Sequence, residues 1–211
     1  MAEGLRAREP FDAFVQQHEA ARMGMLVFLA TEIMLFGGLF AAILAVRIAH
    51  PHEFAAASAR THVFIGTANT AVLLTSSFAV AVAALAARAA RTRLTSLWLA
   101  AASLLGVAFL GLKAVEYGLE YANGLLPGMS DPLRVSSPVE QLFMDVYLVS
   151  TGLHAVHVTI GILLLGSLAV RVTSGALRLP GRAVVVEVCG LYWHLVDVIW
   201  VFLFPALYLA R

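Results

Sequence analysis

Apolar positions run through this chain in five long stretches, and the polar positions between them come in short interruptions. A helix needs about 20 mostly apolar residues to cross a hydrocarbon core. The pattern meets that length at residues 23–48, 62–87, 94–117, 142–170 and 184–210. It predicts an all-α fold, a polytopic membrane bundle of five transmembrane helices. Residues 1–22 read as an N-terminal arm and 23–211 as a single transmembrane domain. The connections are short apart from 118–141, which carries turn signals at Pro127, Gly128 and Pro132.

Composition agrees with the pattern. Hydrophobic residues make up 61% of the 211 and charged residues 13%, too little polar surface for a soluble core of this size. Arginine placement sets the orientation. Arg6, Arg8, Arg22, Arg88, Arg91, Arg93, Arg171, Arg178 and Arg182 fall on one side, against Arg47, Arg60, Arg134 and Arg211 on the other. The richer side is expected to be cytoplasmic, which puts the N-terminus inside and the C-terminus in the periplasm. The arm has mixed charges, and the apolar run after it is too long for a signal peptide. A net charge of +1 gives no hint of nucleic acid. Cys189 stands alone, so the chain can form no internal disulfide and build no thiolate metal site by itself.

Polar residues inside the spans hold the chemistry. Glu32 lies nine residues past Met23, about 13 Å into the first span. A carboxyl at that depth is either protonated or paired with a cation or lipid headgroup. Interhelical glue and a lipid or proton role both fit it, and Gly37 and Gly38 beyond it let a neighbour approach. On the fourth span Tyr147, Ser150, Thr151, His157 and Gly161 all fall within about 60° of His154. On the fifth, Glu187, Gly190, His194 and Asp197 fall within about 80° of one another. An ionised Asp in mid-span costs roughly 3 kcal/mol, so Asp197 needs a partner. Two polar stripes on consecutive helices are expected to face each other. The third span ends with Lys113 and Glu116 three apart, where an ion pair and outward snorkelling of the lysine are expected. Asn69 to Ser77 on the second span supply further hydrogen-bonding groups.

Histidines three apart on one helix cannot take both axial positions of a haem, so a bis-His site would need His194 opposite His154 or His157. No Glu has a His three residues later, as a di-iron carboxylate site would require. Hydrogen-bonded interior histidines fit better.

Five motifs in order, GMLVFLATEIMLFGGLF, NTAVLLTSS, FLGLKAVEY, STGLHAVHVTIG and LYWHLVDVIW, closely resemble subunit III of the haem-copper oxidases, the cytochrome c oxidase family, in its short five-helix bacterial form. The resemblance implies an accessory subunit of the bacterial inner membrane with no redox centre of its own. Haem and copper would reside in its partners, catalytic subunit I and subunit II. It also implies structural phospholipids in a cleft and support for proton uptake and for the durability of subunit I. By resemblance Glu32 matches the family's intramembrane glutamate, and Arg171 matches an arginine that contacts a lipid phosphate. The charge pattern independently puts Arg171 at headgroup level. His157, Glu187, Trp193, His194 and Asp197 match positions of packing and hydrogen bonding, and His154 shares their polar network. Lys113 replaces a glutamine of the seven-helix mitochondrial form, so no role carries over to it. A ubiquinol oxidase or a nitric oxide reductase system would use a similar chain. A stand-alone proton or solute carrier is an alternative of another class, but no inverted repeat or broken helix pair supports it. An enzyme with its own haem is a third possibility.

Overall fold

In hydrocarbon there is no water to satisfy a free N–H or C=O, so long apolar runs fold as helices that satisfy their own backbone. The computed structural model describes residues 14–59, 61–122 and 138–210. Six helices run through them: α1 (Phe14–Ala49), α2 (Pro51–Ser58), α3 (Val63–Arg88), α4 (Thr92–Ala122), α5 (Pro138–Thr173) and α6 (Ala183–Tyr208). All but α2 are long and apolar enough to cross a membrane, at the five places the hydrophobic pattern predicts. Arg6 and Arg8 of the arm, the turn signals Pro127, Gly128 and Pro132, and Arg60, Arg134 and Arg211 lie outside the described residues.

Two details differ from expectation. The helices α4 and α5 extend well into the predicted 118–141 loop. The first connection, expected to be plain loop, contains α2, whose Pro51 sits in the first turn where no N–H is needed. This helix covers one end of the bundle. Phe54 meets the Phe143 ring of α5 edge-on at 4.9 Å, and the Ser58 hydroxyl donates to the Leu207 carbonyl of α6 at 2.8 Å.

Heptad spacing of the buried residues sets the packing. On α4 the buried positions are Thr95, Leu99, Ala102, Gly106, Phe109, Lys113, Glu116 and Glu120, alternating steps of four and three. The seam of α3 runs through Gly66, Asn69, Leu73, Ser76, Val80, Ala83 and Ala87, mostly small residues that let the two backbones approach closely. Further contacts join α4 to α5, α3 to α6 and α5 to α6. The first helix lies on the outside, against α5 and α6. Among the described side chains its buried apolar residues are Leu29, Phe36 and Ile43, seven apart. That is a single narrow seam, and most of the remaining apolar surface of α1 is exposed.

Trp193 of α6 is fully buried in a slot between two glycines. A Cβ at Gly161 would stand 2.6 Å from its Cε3, and one at Gly106 would stand 2.8 Å from its Cη2. The connection between α3 and α4 closes with Ala90 at φ 55°, and the Arg91 N–H donates to the Ala86 carbonyl at 2.9 Å. That left-handed helix end favours glycine. The matching turn after α5 does use one, Gly175 at φ 73°.

Gly161→Ala should destabilise the protein by about 1–3 kcal/mol through overpacking on Trp193. Ala90→Gly should stabilise it by about 1 kcal/mol by relieving the left-handed alanine. Thermal midpoints of the purified protein check both, and a change of opposite sign in either would contradict the packing described.

Candidate functional site

The polar stripe of α5 is buried from Tyr147 to Gly161, but its hydrogen-bonded members turn to different helices, Thr151 to Tyr117 of α4 at 2.6 Å among them. His157 turns toward α1. Its Nε2 lies 2.8 Å from Oε2 of Glu32, and its Nδ1 lies 2.8 Å from the Leu153 carbonyl. A carbonyl only accepts, so Nδ1 carries a proton as donor. The remaining contact, Nε2 to carboxyl oxygen, then holds one proton, drawn either as a carboxylic acid donating to imidazole or as imidazolium donating to carboxylate. Either way the pair is neutral as a unit, which suits a site in hydrocarbon. The Phe36 ring meets His157 edge-on at 5.2 Å, and the Tyr192 hydroxyl donates to the His157 carbonyl at 3.0 Å. The sequence leaves Glu32 either protonated or paired with a cation or lipid headgroup, and the structure sets His157 beside it.

His154 faces the bundle interior, stacked on Trp200 at 5.2 Å and edge-on to Phe109 at 5.6 Å. Neither ring nitrogen has a hydrogen-bond partner among the described residues. The Trp200 indole N–H donates to the Thr70 hydroxyl at 3.1 Å, which in turn donates to the Gly66 carbonyl at 2.8 Å. Trp193 contributes packing, since its indole N–H finds no acceptor among the described residues.

The α6 stripe faces α3, contrary to the expectation that it opposes the α5 stripe. His194 Nδ1 lies 2.6 Å from the Ser77 hydroxyl. Asp197, one turn on, is buried beside the same serine, and neither of its carboxyl oxygens has a close hydrogen-bond partner among the described residues. Near the start of α6, Glu187 accepts from Arg22 of α1 at 2.6 Å and from Arg88 of α3 at 2.7 Å. One carboxylate thus ties three helices together at the arginine-rich end. The 100° rotation per residue fixes which side of a helix is polar but not which neighbour stands there, so the stripes could be found while their pairing was misjudged. With His194 on Ser77, His157 on Glu32 and His154 on Trp200, the opposed histidine pair of a bis-His haem is not formed among these residues.

Lys113 does not snorkel outward. It is 2% exposed, and its three N–H groups meet three acceptors: Glu116 at 2.9 Å, Tyr208 at 2.8 Å and Tyr147 at 3.2 Å. The Tyr208 hydroxyl donates to Glu116 at 2.7 Å, and the rings of Tyr117, Tyr147, Trp200 and Tyr208 surround the ammonium at 5.0 to 5.5 Å. The i, i+3 ion pair forms as expected, but inside the bundle. Sequence reasoning missed Tyr208 and the inward aim of Lys113. A signal was available, because Lys113, Glu116 and Glu120 continue the four-three spacing of Leu99, Ala102, Gly106 and Phe109.

Arg171 lies exposed in the last turn of α5, at the same end as Arg22 and Arg88. The structure does not bring Arg171 and Glu32 into contact. They sit at different depths.

A family model described as cytochrome c oxidase subunit III matches residues 11–210. The chain is 33% identical over 187 residues to cytochrome c oxidase subunit 3 of Thermostichus vulcanus, covering 89% of this chain and 86% of that protein. It is 30% identical over 193 residues to cytochrome c oxidase subunit 3 of Synechocystis sp., covering 91% and 77%. It is 27% identical over 204 residues to a probable quinol oxidase subunit 3 of Staphylococcus aureus, covering 94% and 92%.

Glu32→Leu or His157→Leu alone strands the partner's polar atom and should cost about 1–3 kcal/mol. The double variant should lose clearly less than the sum. Unfolding midpoints of the four proteins measure the coupling, and additive losses would show that the pair is not a unit.

Proposed function

The chain belongs to the cytochrome c oxidase subunit III family, and from that premise we propose that it serves a cytochrome c oxidase as an accessory subunit beside catalytic subunit I and subunit II. Membership makes it subunit III of a haem-copper oxidase, a multi-pass membrane protein that associates with other oxidase subunits. The match over residues 11–210, nearly the whole chain, is the observation that carries the reading.

In this reading haem and copper sit in the partner subunits, and this chain shapes the lipid and proton environment around them. The membrane is the bacterial inner membrane, with the arginine-rich ends of the helices toward the cytoplasm. Arg171 is exposed in the last turn of α5, and the arginine pattern supports a place at headgroup level, where a guanidinium suits a lipid phosphate. The Glu32–His157 pair keeps one proton within the span at no net charge, which lets a carboxyl persist there without burying an unpaired ion. Its part is to hold α1 in place and to support the surface through which subunit I takes up protons. Cytochrome c is preferred as the electron donor because the relatives at 33% and 30% identity are named cytochrome c oxidase subunits, against 27% for the quinol oxidase relative.

Purification of the tagged chain from its native membrane in mild detergent should bring down a haem-copper catalytic subunit, identified by mass spectrometry and a reduced-minus-oxidised spectrum. A colourless chain without partners would overturn the reading. In the purified complex, Glu32→Ala and Arg171→Ala should each leave the haem spectrum unchanged while shortening the turnover lifetime several-fold or slowing proton uptake. Loss of haem from an assembled variant would contradict an indirect role.

A further inference from the structure

On the outer side of the bundle α1 and α6 run in the same direction, and a groove of about 600 Å³ opens between them. Gly37 forms part of its floor, and a Cβ there would meet nothing within 4 Å. The exposed side chains of Ile33 and Phe202 form part of its rims. Arg47, in the last turn of α1, is the single charged residue lining it among the described residues. Ile33 and Arg47 are fourteen residues apart, so the groove runs for about 21 Å at the usual rise. That is more than half of a hydrocarbon core of about 30 Å.

The charges at the two ends of α1 differ in a way that bears on what fills the groove. Toward the other end of the helix Arg22 is ion-paired with Glu187, which it shares with Arg88. Arg47 is exposed and makes no ion pair with a described residue. A cation at the mouth of a long apolar slot, within membrane-spanning segments on both walls, calls for an occupant that is anionic at one end and hydrocarbon for the rest. We propose that this groove holds one acyl chain of a phospholipid whose phosphate is bound by Arg47. The site is separate from Arg171, which lies at the opposite end of the bundle, and it rests on the lipid-binding reading above only for the choice of a phospholipid.

The test uses the intact complex in nanodiscs of phosphatidylglycerol and phosphatidylethanolamine, with the phospholipids retained per complex counted by native mass spectrometry. Arg47→Gln and Gly37→Phe should each lose one phospholipid, and Arg47→Lys should keep it. Arg171→Gln serves as the separating control. If it loses a lipid while the groove variants lose none, the groove proposal fails and the accessory reading stands. If no variant loses any, both lipid assignments fail. A benzophenone amino acid at position 37 gives a second readout that needs no loss of binding. Cross-linking to phospholipid supports the proposal, and cross-linking to another oxidase subunit overturns it by showing that protein fills the groove. Failure of Gly37→Phe to assemble, with the lipid count of Arg47→Gln unchanged, would count the same way.

Discussion

Hydrocarbon offers no hydrogen-bond partner, so a polar side chain on a spanning helix has to turn inward, where most find an answering group and a few, such as His154 and Asp197, are simply enclosed. That constraint arranges this bundle. Glu32 commits α1 to α5 through His157, Glu187 gathers α1, α3 and α6, and Ser77 sets His194 of α6 against α3. Lys113 goes further and joins α4 to α5 and α6 by satisfying all three of its donors within 3.2 Å. Between lipid tails and leucine there is little to choose, so apolar burial alone holds membrane helices together weakly. Small-residue seams give the close contact of α3 with α4. The polar ties then select which of the other helices meet.

The first helix shows what happens where those ties are few. Its buried apolar residues come once per heptad, and polar contacts tie it near its start through Arg22 and midway through Glu32. Beyond Glu32 it packs through Phe36 and Ile43, with Leu39, Phe40 and Val46 partly buried, and Gly37 presents no side chain to the groove. A helix with polar ties near its start and at its middle, and only apolar contacts beyond, leaves room alongside α6. The groove that ends at Arg47 therefore follows from the same polar pattern that fixes the rest of the bundle.

Much of the fold was legible in the sequence, because span length and apolar composition answer directly to the thickness of the membrane. The inward faces were legible too, since a polar stripe and a heptad seam both have a fixed period. Two kinds of information were not. Periodicity does not name the neighbour, which is why the stripes on α5 and α6 are expected from sequence to oppose each other, when members of the first reach α1, α4 and α6 and the second faces α3. Local reasoning also judged Lys113 by its nearness to the membrane surface. Its fate was set by Tyr147 and Tyr208, 34 and 95 residues away in sequence. The helix α2 was missed for a related reason: eight residues are too few to stand out, and its stability comes from Phe54 on Phe143 and Ser58 on α6.

The same constraint separates the polar groups by what they are able to do. Lys113, Glu116, Tyr147 and Tyr208 satisfy one another completely and are almost wholly buried, so any change of protonation there would break several bonds at once. Such a network fixes structure. The Glu32–His157 pair is different, being two groups with one proton between them, on the thinly packed side of the bundle and with side chains still 14% and 11% exposed. A proton can be placed on either partner without changing the net charge. That pair sits on α1, the most exposed of the five spans, so the polar contact that holds this helix midway lies near the bundle's surface and not in its sealed interior.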